Sequence, residues 1–321
     1  MDKMSVILNF FGEIRNRFIT YQGPRTLAEK FELAKKVAGA DGLEIAFPQD
    51  FADPGLLKDL IAKSPYDISA INFRSRRNGM WFRGSFTSAD EKDRHDMAED
   101  MKKCIDAAKE MGVSRISTCP LNEGVDYLFE MDYGKAYAAM LETMRDIADY
   151  AARYADDLKL CIEYKYSEPR ARCLLGNAGE TLAFCLELGR DNVGVTLDFG
   201  HSIQAGERPG QVVAMLQRTN RLFYIHMNDN DRLMDWDMIP GAYNFWDSIE
   251  FFYYLKKAGY YDWLAFDVFP KETDTVETFD STIETTRKLI EIMNRIDEER
   301  MDELLTLRNP AKTSRYLYSL L

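Results

Sequence analysis

Residues 192–201 read NVGVTLDFGH, a short apolar run that ends in Asp198 and is followed by His201. Three other stretches have the same form: 158–165 LKLCIEYK, 221–229 RLFYIHMND and 262–268 DWLAFDV. Each begins with apolar residues, as expected of a parallel strand buried on both faces, and finishes with a carboxylate or an imidazole. The second half of the chain therefore predicts four buried parallel strands with polar ends.

Four more apolar stretches precede these strands, and amphipathic stretches separate all eight. The strands predicted in the first half are 4–10, 42–47, 67–73 and 114–119. Helical patterns lie at 25–39, 54–64, 88–112, 133–155, 178–189, 207–218, 244–259 and 274–297. Eight strand–helix units without a domain break favour an α/β fold of the closed (β/α)₈ TIM barrel type. No GxGxxG follows the first strand, which removes the main signal for a dinucleotide-binding sheet.

The sequence pattern changes near the end of the last predicted helix. We expect the TIM barrel to span 1–297 and a C-terminal tail to span 298–321. The tail begins as a helix, breaks at Asn309 and Pro310, and is expected to be irregular from there. Its apolar end suits either a segment docked on the barrel or a contact with another chain.

Composition narrows the class of protein. The chain has 321 residues and a net charge of −12, which argues against a nucleic-acid partner because nucleic-acid binding normally requires a basic surface. The five cysteines show no CxxC pair, as expected of reduced thiols in a cytosol. We find no signal-peptide pattern and no apolar run long enough to span a membrane, so we expect a cytoplasmic protein.

The polar strand ends predict a metal site. Active sites of TIM barrels lie at the carboxyl ends of the strands, where Glu163, Asp198, His226 and Asp267 are placed. One aspartate after a strand is usually a helix cap, but four polar ends in succession are not explained in that way. Three bare carboxylates would repel one another, and a divalent cation relieves that repulsion. The set suits Mn²⁺, our first choice, or Mg²⁺, Co²⁺ or Zn²⁺, rather than copper or an iron–sulfur cluster.

Four motifs taken together resemble the xylose isomerase-like TIM barrel superfamily. They are IEYK at 162–165, TLDFGH at 196–201, IHMNDNDR at 225–232 and FDVFP at 266–270. That superfamily includes sugar isomerases, ketohexose 3-epimerases and AP endonuclease family 2 repair enzymes, and the resemblance covers about residues 4–297. With three histidines and a net charge of −12, the chain does not suit the multi-metal repair branch.

The resemblance implies roles for particular residues. Glu163, Asp198, His226 and Asp267 correspond to the ligands of one metal ion. The positions of the substrate contacts correspond to His201, Arg232, Lys165 and Arg170, and we add Asn228 at the end of the seventh strand. Arg74 belongs to a loop with Arg76, Arg77, Trp81 and Phe82 that could bind an anionic group or a sugar, or could simply be a solvated loop.

The chain departs from the ketohexose epimerases at two positions. Asp267 stands where the epimerases have glutamate, so its carboxylate has a shorter reach. Val125 stands where some relatives have a histidine, and valine cannot transfer a proton. The catalytic acid–base pair of the epimerases therefore cannot be assigned to this chain by position alone.

The expected chemistry is proton transfer next to a carbonyl of a carbohydrate through a metal-stabilised enediolate. Glu163 and Asp267 are the predicted catalytic pair, since the fifth and eighth strands approach the site from different sides. Return of the proton gives epimerisation or isomerisation, whereas loss of a β-substituent gives elimination. The last outcome would match the larger subunit of a C-glycoside deglycosylase, a carbon–carbon lyase acting on 3-oxo-glycosides. A sugar-binding subunit without activity is a further alternative. We expect a homo-oligomer, or a complex with a small accessory subunit.

Overall fold

The computed structural model describes residues 3–77 and 79–321, and eight parallel strands close into a barrel. The strands are β1 Lys3–Ile7, β2 Gly42–Phe47, β3 Asp67–Phe73, β4 Arg115–Thr118, β5 Lys159–Glu163, β6 Val193–Asp198, β7 Leu222–Met227 and β8 Trp263–Phe266. Neighbours around the barrel follow the chain order, and β8 pairs with β1 to complete the circle. The (β/α)₈ TIM barrel expected from the sequence is confirmed.

Helices fill the connections between the strands and cover the outside of the barrel. They are α1 Leu27–Ala34, α2 Pro54–Ala62, α3 Glu91–Met111, α4 Tyr133–Tyr154, α5 Ala178–Leu188, α6 Phe199–Gln204, α7 Pro209–Arg218, α8 Phe245–Lys257 and α9 Thr275–Asn294. Two starts follow local sequence signals: Thr26 forms a capping box with Glu29, and Asp53 caps α2 ahead of Pro54. All eight predicted helical patterns are present, and the short α6 is additional.

Two more helices, α10 Glu298–Leu307 and α11 Pro310–Tyr318, follow the barrel. The expectation of an irregular segment after Asn309 is wrong over α11. The Asn309 side chain accepts the backbone N–H of Lys312, and Pro310 takes the first helical position, so this pair begins a helix instead of ending one. The division of the chain into a barrel and a tail at residue 297 stays a prediction.

The tail packs on the barrel of its own chain. In α10, Leu304 is fully buried. The ring of Tyr318 lies 5.2 Å from that of Trp246 in α8, measured between centroids, and the Tyr316 hydroxyl accepts the backbone N–H of Asp297. These contacts agree with a docked terminal segment. The predicted contact with another chain stays untested.

The inside of the barrel carries hydroxyl groups as well as apolar side chains. Ser69 links Ser5, at 2.7 Å, to the Tyr224 hydroxyl, at 2.9 Å. All three residues are buried, so these polar groups are satisfied by one another. Within residues 3–77 and 79–321, no helix combines the length and apolar character needed to cross a membrane.

Candidate metal centre

Four side chains from consecutive strands meet at the carboxyl end of the barrel. Glu163 ends β5, Asp198 ends β6, His226 belongs to β7, and Asp267 directly follows β8. One ligand atom from each lies within 4.8 Å of every other. The structure thus brings together all four residues that the sequence proposed as metal ligands.

Strand register explains why these side chains meet. Asp198 of β6 lies opposite His226 of β7, and Glu163 of β5 lies opposite Thr196, two residues before Asp198. Residues two apart on a strand point to the same face, so Glu163 and Asp198 both face the interior. Asp267 comes one residue after β8 and is the most exposed of the four, with 20% of its side chain accessible.

The imidazole of His226 has carboxylates next to both of its ring nitrogens. Its Nδ1 is 3.1 Å from Glu163 Oε1 and 3.6 Å from Asp267 Oδ2, so this nitrogen faces the other candidate ligands. Its Nε2 is 2.9 Å from Oε2 of Glu44, a fully buried residue of β2. Sequence reasoning did not identify Glu44, although a glutamate inside the apolar strand GLEIAF was a visible signal.

Burial and mutual repulsion shift the pKa values of the carboxylates in the cluster. Burial raises the pKa of Asp267 to about 7 and that of Asp198 to about 6, and the neighbouring carboxylates add to both shifts. Burial also acts to raise the pKa of Glu163, but the charge and hydrogen bond of His226 outweigh it and lower that pKa to about 2. Carboxylate oxygens and an imidazole nitrogen are donors that Mn²⁺ and Zn²⁺ accept, so the donor set fits a divalent cation.

A second layer of charged groups lies beside the cluster. Asp235 Oδ2 is 2.7 Å from Lys165 Nζ and 3.1 Å from His201 Nε2. The other nitrogen of His201 is 3.4 Å from Glu163 Oε1. Burial alone would lower the pKa of His201, but Asp198 and Asp235 outweigh it and raise the value to about 10. Lys165 and His201, both predicted substrate contacts, are thus held at the edge of the cluster by a carboxylate that sequence reasoning left unassigned.

Asp235 belongs to a loop between β7 and α8. The loop also carries Asp237, whose pKa is raised well above its usual range by burial and by the charges of Asp235 and Asp267. Both ends of the loop are joined by Asp229, whose carboxylate accepts the backbone N–H groups of Tyr243 and Asn244 at 2.8 and 3.0 Å. This loop therefore adds two carboxylates to the site, and its two ends are held together by hydrogen bonds.

Asn228 lies behind Asp198 and is fully buried. Its amide nitrogen is 3.1 Å from Asp198 Oδ2 and 3.3 Å from Asp237 Oδ1, and its carbonyl oxygen accepts the backbone N–H of Gly200 at 2.8 Å. The amide is fully engaged with protein groups, which favours a role in holding Asp198. The predicted contact of Asn228 with a substrate stays untested.

The three predicted arginines differ in position. The charge of Arg74 lowers the pKa of Glu163 and that of Asp267. Its buried Nε has no hydrogen-bond partner among the described residues. By contrast, Arg170 is paired with Asp126 at 2.8 Å, and the exposed Arg232 is paired with Asp247 at 2.7 Å. The charge of Arg74 thus reaches the cluster, whereas the other two arginines are engaged in ion pairs with Asp126 and Asp247.

The remaining residues of the arginine-rich loop are only partly available for binding. Arg77 pairs with Asp100 at 3.4 Å and lies over the rings of Phe73 and Trp81, so it stabilises the loop itself. Trp81 is buried whereas Phe82 is exposed. Asn78 of this loop lies outside the described residues.

Comparison with known proteins identifies the family to which this fold belongs. A family model described as "Xylose isomerase-like TIM barrel" matches residues 31–294. A xylose isomerase from Streptomyces lividans is 32% identical over 198 residues, which are 60% of this chain. The match covers 50% of that relative, so the chain aligns with about half the length of the curated protein.

Solved structures show the same fold. An L-ribulose 3-epimerase superimposes with a TM-score of 0.72 at 19% identity, covering 95% of this chain and 98% of the other. The IOLI protein, described with a bound zinc atom, gives a TM-score of 0.62 at 18% identity, covering 91% and 97% of the two chains. At these identities the likeness shows the fold alone.

Proposed function

The chain belongs to the xylose isomerase-like TIM barrel family, and from this premise we propose that it is a divalent-metal-dependent isomerase or epimerase of a keto-sugar. The convergence of Glu163, Asp198, His226 and Asp267 within 4.8 Å carries this proposal. Family membership alone would not, because one barrel fold supports many reactions. The relatives described above are named for isomerisation and epimerisation, which favours proton transfer over elimination.

The four converging side chains would hold the cation. Once bound, a divalent ion supplies Lewis acidity to the carbonyl and hydroxyl oxygens of the substrate. The donor set fits Mn²⁺, our first choice, and the zinc atom named for one structural relative supports Zn²⁺ as an alternative.

Side chains around the cation would transfer the proton and orient the sugar. Glu163 and Asp267 project from β5 and β8, and one would remove the proton next to the carbonyl while the other returns it. Lys165 and His201 supply N–H groups beside Glu163 and would hold substrate oxygens. Arg74 supplies a further donor, because its buried Nε has no partner among the described residues.

Solvent exchange tests this proposal. The protein is stripped with EDTA, reloaded with Mn²⁺, and incubated in D₂O with a panel of ketoses and oxo-glycosides. We expect deuterium incorporation next to the carbonyl of at least one sugar, loss of incorporation in EDTA, and loss in Glu163→Gln with metal restored. A matched control is Glu123→Gln, which alters a buried carboxylate that accepts hydrogen bonds from Ser85 and Thr87, away from the four candidate ligands.

Three results would overturn the proposal. A protein that binds no divalent ion lacks the metal centre altogether. A protein that binds metal but neither exchanges a proton with any sugar of the panel nor converts one into another would be a sugar-binding subunit. Release of an aglycone from an oxo-glycoside would assign the reaction to the lyase alternative.

A further inference from the structure

Glu44 lies beneath the candidate metal centre and has no role in the proton transfer described above. Its Oε2 is 2.9 Å from Nε2 of His226, and its Oε1 accepts an N–H of the Asn72 side chain at 2.7 Å. Glu44 and His226 are fully buried, and Asn72 is nearly so. The three side chains form a line of hydrogen bonds from β3 through β2 to β7.

This line fixes which nitrogen of His226 can bind a cation. In a neutral imidazole one nitrogen carries the proton and the other carries the lone pair. Asn72 donates to Glu44 from one side, so a carboxylate at Glu44 accepts hydrogen bonds from both neighbours. The Nε2 of His226 must then keep its proton, so only Nδ1, which is 3.1 Å from Glu163 and 3.6 Å from Asp267, can give up its proton and bind a cation.

We propose that Glu44 is a positioning residue of the metal centre, which selects the Nε2–H tautomer of His226 and aims its Nδ1 at the cation. The inference rests on the proposed metal centre and adds a residue that touches none of the candidate ligands except His226. A carboxylate that accepts the second N–H of a metal-binding histidine holds the ring orientation and increases the basicity of the ligating nitrogen.

Substitution of Glu44 separates its charge from its hydrogen bond. Glu44→Gln keeps the shape of the side chain and one oxygen that can accept the N–H of His226. The new amide N–H group can donate to Asn72, because the Oδ1 of Asn72 has no hydrogen-bond partner among the described residues and the Asn72 side chain can rotate. Glu44→Ala removes both the charge and the acceptor. We expect the Kd for Mn²⁺, measured by titration calorimetry, to rise by about 10-fold to 100-fold, with Glu44→Ala at the upper end.

Ring nitrogen NMR provides a readout that does not depend on activity. The chain contains three histidines, so the ¹⁵N ring signals are few and can be assigned with His95→Gln and His201→Gln. In wild-type protein loaded with diamagnetic Zn²⁺ we expect His226 as the Nε2–H tautomer with a metal-shifted Nδ1. In Glu44→Ala we expect a mixture of tautomers or a displaced Nδ1 signal.

Asp50→Asn is the matched control. Asp50 follows the same strand as Glu44, is buried, and accepts hydrogen bonds from Lys30 and from the backbone of Ala46, without contact to the cluster. It should lower stability and leave both the Mn²⁺ affinity and the His226 signals unchanged.

The outcomes distinguish this inference from the proposed function. If the wild-type protein binds neither Mn²⁺ nor Zn²⁺, the metal centre itself is wrong. If the wild type binds metal but Glu44→Ala keeps the same Kd and the same tautomer, the metal centre stands and the role of Glu44 is refuted. Weaker binding in Asp50→Asn to the same extent would also refute it, because any buried carboxylate would then have the same effect.

Discussion

The ammonium group of Lys165 lies 2.7 Å from the carboxylate of Asp235, and both side chains are at least nine-tenths buried. This ion pair connects the end of β5 to the loop after β7. The same lysine has a second acidic partner, Glu168, at 3.3 Å, but that side chain is 53% exposed. One lysine therefore has a buried partner and an exposed one.

We predict that the two acidic partners contribute unequally to stability. Asp235→Asn leaves Lys165 without a buried countercharge and should lower the free energy of unfolding by about 3–5 kcal/mol. Glu168→Gln removes an exposed pair and should cost less than about 1 kcal/mol. Urea denaturation of both variants measures the difference, and equal losses would show that the buried pair has no special weight.

Metal affinity should depend on pH. Burial raises the pKa of Asp267 to about 7 and of Asp198 to about 6, so both hold protons in mildly acidic solution when no metal is present. A cation must displace these protons, and the apparent affinity should fall by about tenfold per pH unit for each proton displaced. Mn²⁺ titrations of stripped protein from pH 8 down to pH 5.5 test this, and a constant Kd over that range would contradict it.

Asn228 and Asn230 offer a direct comparison between two buried amides. Asn228 donates to Asp198, whereas Asn230 donates to the backbone of Gly200 and touches none of the candidate ligands. Asn228→Ser should raise the Kd for Mn²⁺ by about tenfold or more because Asp198 loses its support. Asn230→Ser should leave that Kd unchanged. If Asn228→Ser instead raises only the KM for the sugar, the residue contacts the substrate, as the sequence predicted.

The tail helix α10 should stabilise the barrel through its buried side chains, of which Leu304 is the most buried. Leu304 is fully buried, while the adjacent Leu305 is 43% exposed. Leu304→Ala should lower the free energy of unfolding by about 2–5 kcal/mol. Leu305→Ala should change it by no more than about 0.5 kcal/mol, since it is an exposed substitution. Chemical denaturation at several protein concentrations is the measurement, and a Leu305 effect that appears only in an oligomer would support a contact with another chain.

The barrel fold and the four candidate metal ligands could be predicted from the sequence. Buried parallel strands and their polar ends leave a periodic pattern that needs no long-range information, which is why Glu163, Asp198, His226 and Asp267 were identified. Register then brings them together, because neighbouring parallel strands end at the same rim.

The supporting residues could not be predicted because their partners are distant in the chain. Glu44 is 182 positions from His226, and a glutamate in one strand does not reveal which side chain faces it. Asp235 lies in a loop whose path the sequence does not specify, so its contacts with Lys165 and His201 depend on tertiary structure. The prediction of an irregular end to the tail was wrong for a local reason, since the Asn309–Pro310 pair begins α11 instead of ending the helical region.

The hydrogen bonds of the Asp229 carboxylate bear on how this site could evolve. Because it joins the two ends of the β7–α8 loop, the intervening segment can change in length or composition while its attachment to the barrel is preserved. The ligand-bearing strands would remain undisturbed by such exchange. New sugars could then be recruited by changing the rest of the insert while Asp235 keeps its contacts with Lys165 and His201.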